Sequence, residues 1–542
     1  MPSSIEIFDT TLRDGVQFEG ISPTVDDKLA VAEQLDRLGV AWIEGGWPGA
    51  NPKDVEFFAR ATTELTLDTA RLVAFGSTRR AGVEAADDKV LHDLVQAGTE
   101  TVCIVGKSWD YHVTEALRTT LDEGAAMVAD SIRFLKEQGL RVFFDAEHWF
   151  DGYKSNSAFS LQILHAAAEA GVDCFVMCDT NGGSLPDEVE RIASETASVA
   201  EGIQLGIHTQ NDSGCAVANG IAAVRGGATH AQGTINGYGE RTGNMDLTTF
   251  VPNLTLKLGI ATIPPERLVD ISSVSGRVAE LLNMPPQPAQ PYVGVSAFAH
   301  KAGLHTSAIS RRPDTYEHCD PALVGNRTRF LVSDLGGRAS VELKASQLGI
   351  DIDPVAASSV ASSLKELENE GFHFEVADAS LELMIRQATG WVQPYFEVES
   401  FRVVINHQQG TGNRAWNDIE AQIVTDAIVT VVIDDERLKS VAEGSGPVDA
   451  LYAAFRAAVN GRLPALDRIH LVDYKVRIVD SGGTDAITRV LITLSNGERT
   501  WTTIGVSFDI IEASWHALAD GVIFGLLHAG EASNRDKPGP TS

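Results

Sequence analysis

The sequence is short of positive charge and of long apolar runs. It has 43 Lys and Arg residues against 74 Asp and Glu residues, which gives a formal net charge of −31. A surface this acidic repels phosphate backbones and anionic lipid headgroups, so we expect neither a nucleic acid partner nor a membrane partner. No stretch approaches the roughly 20 apolar residues that a membrane-spanning helix needs.

The sequence also shows neither a secretion signal nor paired cysteines. The opening residues, MPSSIEIFDT, contain no basic segment followed by an apolar run, which argues against a secretory leader. The cysteines are odd in number and form no CxxC pair: Cys103, Cys174, Cys178, Cys215 and Cys319. We therefore expect reduced thiols, mostly packed in the core, and a cytoplasmic protein.

Short apolar runs recur at regular intervals through the first half of the chain, and segments with helical apolar spacing lie between them. Eight such β/α alternations within one stretch predict an α/β fold, a closed (β/α)8 TIM barrel. The predicted strands are Ile5–Phe8, Trp42–Ile43, Leu72–Phe75, Val102–Val105, Val142–Phe144, Cys174–Met177, Leu205–Ile207 and Ala231–Ile235.

Nearly every predicted strand is followed by acidic, basic or amide side chains. A barrel of this kind carries its active site at the carboxyl ends of its strands, so these groups are expected to converge on one mouth. In chain order they are Asp9 with Arg13 and Asp14, Glu44, Ser77 with Arg79, Lys107, Glu147 with His148, Asp179 with Thr180, His208 with Gln210, and Asn236.

The rest of the chain divides by composition. We predict a barrel domain over 1–275, a largely helical linker subdomain over 276–394, and an α+β domain over 395–530. The linker contains the Pro-rich stretch 284–291, and helical patterning returns at Ala339–Leu348 and Val355–Glu370. The polar tail, 531–542, is predicted to be disordered.

The C-terminal domain contains a weak internal repeat. Asp449 and Phe455 align with Asp509 and Trp515 at a constant offset of 60 residues. In each copy a strand-like alternation precedes a glycine-containing turn and an amphipathic helix, which predicts two copies of a strands-then-helix unit. Because the repeat offers few side chains for chemistry, it favours binding or dimerisation.

Three strand ends supply candidate metal ligands. His208 and Gln210 are two residues apart and therefore face the same side of their strand. With Asp14 and Asn236 they would form a site of oxygen ligands and one imidazole, which suits a hard or borderline divalent ion. The glycine-rich loop 236–244 has GxGxxxG spacing and follows the last strand, so we reject a dinucleotide-binding interpretation.

Three motifs carry a family resemblance. FDTTLRDG, HTQND and NGYGERTGN occur in order at the first, seventh and eighth strand ends. This pattern resembles the family that contains the isopropylmalate, homocitrate and citramalate synthases, which is also related to a metal-dependent lyase branch. The segments GSTRR, DAEHWFDGY and CDTNGG are similar to the long-form citramalate synthases, and the C-terminal repeat resembles the family's regulatory dimerisation domain.

The resemblance implies an acyltransferase that condenses acetyl-CoA with pyruvate and water, giving citramalate and CoA for isoleucine biosynthesis. It implies a divalent metal cofactor (Mg²⁺, Mn²⁺ or Zn²⁺), a homodimer, and allosteric regulation, with isoleucine as the expected effector. The metal ligands would be Asp14, His208, Gln210 and Asn236, where Gln210 stands in place of the family's second histidine.

The same resemblance assigns the catalytic and substrate-binding roles. Arg13 would bind the 2-oxo acid and stabilise its oxygen, Thr180 would contact substrate, and Glu147 would lie near the acetyl methyl group. His305 would be the base, with Tyr316 nearby. The alternatives are an isopropylmalate or homocitrate synthase, a lyase, or a metal-poor homologue that senses a metabolite without catalysis.

Overall fold

The computed structural model describes residues 1–200, 202–301, 305, 308–309, 311–330, 337–407, 423–479, 486–497 and 499–529. The chain forms two compact units. The first contains 1–298 with 317–328, and the second contains 299–316 with the residues from 329 onward. The predicted tail over 531–542 lies outside the described residues, and the boundaries at 275 and 394 stay predictions.

The first unit is a closed barrel of eight parallel strands in the order of the sequence, which confirms the predicted fold class. The last strand pairs with the first, for example Gly233 beside Asp9. The strands are β1 (Glu6–Asp9), β2 (Trp42–Gly46), β3 (Arg71–Ser77), β4 (Thr101–Lys107), β5 (Arg141–Glu147), β6 (Cys174–Asp179), β7 (Gln204–Thr209) and β8 (His230–Gly233).

Helices cover the outside of the barrel. They are α1 (Val25–Leu38), α2 (Pro52–Glu64), α3 (Lys89–Gln96), α4 (Leu121–Glu137), α5 (Trp149–Glu169), α6 (Pro186–Val199), α7 (Ala216–Arg225), α8 (Leu247–Pro252) and α9 (Ile271–Leu281). Local sequence explains their starts. Thr24 accepts a hydrogen bond from the amide of Asp27, whose carboxylate accepts from Thr24 in return, a capping box that begins α1.

Two apolar layers hold the barrel together. Alternate strand residues such as Ile7 and Ile43 pack outward against the helices, and the residues between them, such as Phe8, Phe143 and Val176, form a smaller cluster inside. This period of two continues beyond the apolar layer. Toward the carboxyl ends of the strands the residues at these inward positions are polar, and they can form a site at that end of the barrel.

The second unit contains α10 (Arg338–Gln347), α11 (Pro354–Asn369) and α12 (Asp378–Ala388), together with the short strands β9 (Ala299–His300) and β10 (Arg329–Phe330). Its larger part is a pair of three-stranded antiparallel sheets. The first consists of β11 (Glu397–His407), β12 (Ile423–Ile433) and β13 (Glu436–Gly444), and α13 (Pro447–Val459) follows it. The second consists of β14 (His470–Ile478), β15 (Thr488–Ser495) and β16 (Thr500–Ser507), and α14 (Ile510–His528) follows it.

The predicted internal repeat is therefore a repeat of structure, three strands and a helix in each copy. Phe455 on α13 and Trp515 on α14, which align in the repeat, touch with ring centroids 5.6 Å apart. The matching Asp449 and Asp509 both accept hydrogen bonds beside a helix start: Asp449 from the amide of Ser445, and Asp509 from the amide of Ile511.

One helix corrects the expectation that no stretch is long and apolar enough for a membrane-spanning helix. α14 is 19 residues long with a mean hydropathy of 1.4, so by length and composition alone it is apolar enough to cross a membrane. In the structure 56% of that stretch is buried. Its apolar character has a local explanation, because Leu518, Val522 and Leu526 are buried in the core of the second unit.

Candidate active site at the barrel mouth

The site begins with the turn that follows β1. The carboxylate of Asp9 accepts hydrogen bonds from the amide and the hydroxyl of Thr11, which fixes this turn. The turn delivers Asp14, which is 4% exposed, to His208 at the end of β7: the carboxylate oxygen lies 3.2 Å from Nε2. Burial alone would raise the pKa of Asp14, but the Arg13 guanidinium and His208 outweigh it and hold that pKa well below its usual range.

A chain of hydrogen bonds orients His208 from behind. Its Nδ1 lies 2.9 Å from Oε1 of Gln232, and Nε2 of Gln232 donates to Asp145 at 2.9 Å. Because the amide oxygen of Gln232 can only accept, Nδ1 of His208 must donate the proton. In the neutral ring the lone pair is then on Nε2, the atom that faces Asp14.

Arg13 is held beside the same carboxylate. Its Nε donates to Glu44 at 2.5 Å, and its guanidinium lies 3.8 Å from the ring centre of Phe75. Glu44 is fully buried, and that burial, against the opposing charge of Arg13, raises its pKa to about 7. The positive charge is thus fixed in orientation by one carboxylate and one aromatic face.

Two amide side chains next to the pair of Asp14 and His208 have buried polar atoms without hydrogen-bond partners. Oε1 of Gln210 and both amide atoms of Asn244 are buried and make no hydrogen bond. Gln210 and Asn244 pair as an isolated antiparallel bridge, and Asn244 lies close enough to Asp14 to help lower its pKa. Buried amide oxygens without donors are costly, and they are ligands that a divalent cation accepts.

These donors fit the implied metal. Asp14 supplies a carboxylate and Gln210 and Asn244 supply amide oxygens, and His208 would supply Nε2 once a cation displaces the proton that Asp14 favours there by raising the His208 pKa. Such a set suits Mg²⁺ or Mn²⁺ better than an all-nitrogen or thiolate site would. The unpaired amide oxygens are the observation on which this fit rests.

The structure does not bring Asn236 into this group, contrary to the prediction. Oδ1 of Asn236 accepts from Ser275 at 2.5 Å and from Gln290 at 3.2 Å, while Nδ2 donates to the Ser275 carbonyl at 3.0 Å and to Tyr238 at 3.2 Å. Every polar atom of its amide is occupied. Asn236 braces the loop against α9 and the segment that follows, and Asn244 is the amide that faces Asp14.

The glycines of this loop explain how Asn244 is delivered. Gly237 and Gly243 have φ angles of +69° and +93°, in the region that side chains disfavour. A Cβ atom on Gly243 would lie 2.0 Å from the Gly237 carbonyl oxygen. The loop therefore closes on itself tightly, and the amide of Asn211 donates to the Gly243 carbonyl at 2.8 Å, which holds the closed loop against β7.

The other predicted barrel residues lie at the ends of β5 and β6. Glu147 forms an ion pair with Lys107 of the neighbouring β4. Thr180 accepts a hydrogen bond from the amide of His148 at 2.9 Å, and its carbonyl accepts from Arg241 at 2.8 Å. Arg79, also expected at the mouth, instead binds Glu123 and Asp130 of α4 and serves as a structural tie.

The two candidates that follow the barrel lie in the second unit. The rings of His305 and Tyr316 stack with their centroids 4.0 Å apart, and both side chains are exposed. The structure thus brings these two residues to each other.

A second group of possible ligands lies within the barrel. Ligand atoms of Glu44, Cys103 and Asp145 lie within 4.8 Å of one another, and all three residues are buried. Burial raises the pKa of the Cys103 thiol well above its ordinary value, so the thiolate that a metal needs is disfavoured. Glu44 is committed to Arg13 and Asp145 to Gln232, so we interpret this group as support for the site above it.

Asn244, Gln232 and Asp145 were missed by the sequence-based reasoning. Gln232 and Asp145 occupy inward positions of β8 and β5, and the period of two along those strands was available as a signal. Asn244 is the last residue of the NGYGERTGN motif, but the spacing of that motif does not indicate which of its two asparagines, Asn236 or Asn244, faces the metal site. Its pairing with Gln210 depends on the fold of the intervening loop.

Comparison with known proteins agrees with this architecture. A family model described as HMGL-like matches residues 4–274, a homocitrate synthase post-HMGL domain-like model matches 292–371, and the LeuA allosteric (dimerisation) domain matches 375–524. A closed barrel with a ligand cluster at its mouth, followed by these two modules, defines the class of HMGL-like enzymes with a C-terminal dimerisation domain.

Full-length relatives make the assignment more specific. The chain is 51% identical to an (R)-citramalate synthase from Streptomyces coelicolor over 98% of each chain. It is 48% identical to one from Synechocystis over 97% of this chain and 96% of that one. A 2-isopropylmalate synthase from Methanocaldococcus jannaschii is 31% identical over 96% and 95%. The chain belongs to the HMGL-like family and, within it, to the (R)-citramalate synthase group.

Proposed function

We propose that the protein is an acyltransferase that condenses acetyl-CoA with pyruvate and water to form citramalate and CoA. The observation that carries this proposal is the run of full-length relatives, 42–51% identical over 96–99% of this chain, whose names are all (R)-citramalate synthase. We further propose that the reaction serves isoleucine biosynthesis in the cytoplasm.

We propose that Asp14, His208, Gln210 and Asn244 hold a divalent ion, Asn244 in place of Asn236. The close approach of Asp14 to His208, the buried amide oxygens of Gln210 and Asn244 without donors, and the bridge between those two residues support this set. Such an ion would polarise the keto group of the 2-oxo acid. The remaining contributions come from the chain's own residues.

Arg13 has the charge and the fixed position to stabilise the oxygen of the 2-oxo acid as it becomes an alkoxide. The base, proposed to be His305 with Tyr316 beside it, takes a proton from the acetyl methyl group, and Glu147 assists. The resulting carbanion adds to the keto carbon, and the alkoxide that forms takes a proton, which restores the proton balance of the step. Water then cleaves the thioester and releases CoA, while Thr180 contacts the substrate.

A release assay for CoA tests the reaction directly. The protein is supplied with acetyl-CoA and, in separate reactions, pyruvate, 2-oxoisovalerate or 2-oxoglutarate, with and without added Mn²⁺. Pyruvate is expected to give the highest kcat/KM, and only in the presence of metal. The 31% identical 2-isopropylmalate synthase makes 2-oxoisovalerate the informative competitor. A higher kcat/KM with it would contradict the proposed acceptor but leave the condensation intact.

We also propose that the protein is a homodimer whose C-terminal modules bind isoleucine and so inhibit the barrel. The match to an allosteric dimerisation domain and the duplicated three-strand and helix units support this. Inhibition at a distance requires only about 1–3 kcal/mol of coupling between the two sites. Full-length protein that keeps its activity in millimolar isoleucine would contradict this part of the proposal.

A further inference from the structure

The opposite end of the barrel contains a cavity that the proposed reaction does not use. Its volume is about 580 Å³, and it lies where the strands begin rather than where they end. Among its lining residues are Glu6, Trp42, Arg71 and Arg141, the first residues of β1, β2, β3 and β5. We call it the base cavity.

Two guanidinium groups in the base cavity have no carboxylate partner. Among the described residues no carboxylate oxygen lies within 4.0 Å of Arg71 or Arg141. Nε of Arg141 is buried and makes no hydrogen bond. Arg71 is exposed, whereas Arg141 is half-buried, so Arg141 is the guanidinium that the fold leaves least satisfied. Arg79 in the same unit, by contrast, holds two carboxylates.

The two arginines are held in position by an aromatic floor. The guanidinium carbon of Arg141 lies 5.0 Å from the Trp42 ring centre and that of Arg71 lies 5.7 Å from it. Both guanidinium groups therefore lie within 6 Å of the same indole ring and line the same cavity. Stacking on an aromatic ring leaves the in-plane N–H groups of a guanidinium available as donors.

The one carboxylate in the base cavity is already engaged. Oε2 of Glu6 accepts from Gln204 at 3.1 Å and from Trp42 at 3.3 Å, and His230 lies 3.9 Å away. These contacts, of which His230 contributes most, lower the pKa of Glu6 to about 2, so its charge persists at neutral pH. Glu6 thus offsets one of the two positive charges, and a net positive charge remains.

We propose that the base cavity binds a small metabolite through a carboxylate or phosphate group, held by the guanidinium groups of Arg71 and Arg141. A planar guanidinium presents paired N–H donors that match two oxygens of such a group. This site is independent of the mouth, because Asp14 follows β1 and His208 lies at the carboxyl end of β7, whereas the base cavity uses the first residues of the strands.

Isothermal titration of the full-length protein tests the proposal with two probes, inorganic phosphate and succinate. Binding of phosphate alone assigns a phosphate-bearing ligand, and binding of succinate alone a carboxylate. The double variant Arg71→Ala with Arg141→Ala should weaken binding by about tenfold or more, because it removes the charge-assisted hydrogen bonds that would hold the anionic group. Arg225→Ala is the matched control, because Arg225 is exposed on α7 and does not line the cavity.

Two further variants separate this site from the mouth and from a purely structural role. Arg13→Ala should leave the titration unchanged, because Arg13 belongs to the mouth. Glu6→Gln should tighten binding by about threefold, because it removes the opposing charge from a partly exposed site. The proposal is overturned if neither probe binds at millimolar concentration, if the double variant binds as the native protein does, or if Arg13→Ala abolishes binding.

Discussion

The loop after β8 begins at Asn236 and ends at Asn244, and the two asparagines have opposite surroundings. The amide of Asn236 makes four hydrogen bonds, with Ser275, Gln290 and Tyr238. The amide of Asn244 is buried and makes no hydrogen bond of normal length and angle, although it lies near the Asp14 carboxylate. The same residue type, eight positions apart on one loop, therefore serves two different purposes.

The two surroundings separate a structural amide from a candidate ligand. Folding has already satisfied Asn236, so its contribution is to the stability of the loop. An amide that folding leaves buried and unpaired costs about 1–3 kcal/mol. Asn244 has this unfavourable free energy at a position beside Asp14 and Gln210. A bound cation would provide the interaction that the buried amide lacks.

The largest effect is expected from His208→Ala, which removes the only imidazole of the cluster. We expect near-complete loss of turnover and of tight Mn²⁺ binding, because one carboxylate and two neutral amides are then the remaining ligands of the cluster. Mn²⁺ binding is followed by electron paramagnetic resonance, and turnover by CoA release. The control is His165→Ala, an exposed histidine on α5. Unchanged Mn²⁺ affinity in His208→Ala would contradict the ligand assignment.

Gln232→Leu tests the hydrogen bonds that orient His208. The change keeps the volume but removes the acceptor that orients His208 and the donor that reaches Asp145. Loss of such an outer partner typically costs 10- to 100-fold in metal affinity, so we expect a loss of about that size. Mn²⁺ titration is the measurement, with Gln162→Leu on the exposed surface of α5 as control. An effect on stability alone would limit Gln232 to packing.

Gln210→His should move metal affinity in the other direction. An imidazole is a stronger donor than an amide for borderline ions, so Zn²⁺ should gain affinity more than Mg²⁺. We expect a gain of about tenfold for Zn²⁺, or roughly 1.4 kcal/mol, measured by competition with a chelator. Weaker Zn²⁺ binding in the variant would mean that the Gln210 side chain does not face the metal.

The smallest effect on the metal is expected from Asn236→Ala. The variant loses four hydrogen bonds and places Ala at a φ of +63°, so the free energy of unfolding should fall by about 2 kcal/mol. Thermal unfolding of the barrel should show a lower midpoint, whereas Mn²⁺ affinity in the folded protein should stay the same.

Much of this architecture could be predicted from the sequence, for reasons that particular residues make plain. The alternation of apolar strands and amphipathic helices located all eight strands, because barrel strands are buried on both faces. Asp14, His208 and Gln210 could be placed at one mouth because strand direction and a period of two fix where they point. The C-terminal repeat was visible because aligned residues such as Phe455 and Trp515 share one packing role.

What could not be predicted depends on loops and on pairings between distant strands. Three glycines with positive φ, Gly237, Gly239 and Gly243, turn the last loop so that Asn244 rather than Asn236 meets Gln210. Arg79 follows β3 as a site residue would, yet α4 supplies two carboxylates that take it away. The unpaired arginines of the base cavity also have no signature in the sequence, because pairing is decided by the fold.

The most direct test of the account is a paired titration of Asn244→Ala and Asn236→Ala with Mn²⁺, read by electron paramagnetic resonance on folded protein. We expect Asn244→Ala to weaken Mn²⁺ binding at least tenfold while its unfolding midpoint holds or rises, because a buried unpaired amide is removed. For Asn236→Ala we expect native Mn²⁺ affinity and a lower unfolding midpoint. The reverse pattern, with weak binding in Asn236→Ala and native binding in Asn244→Ala, would contradict the site described here.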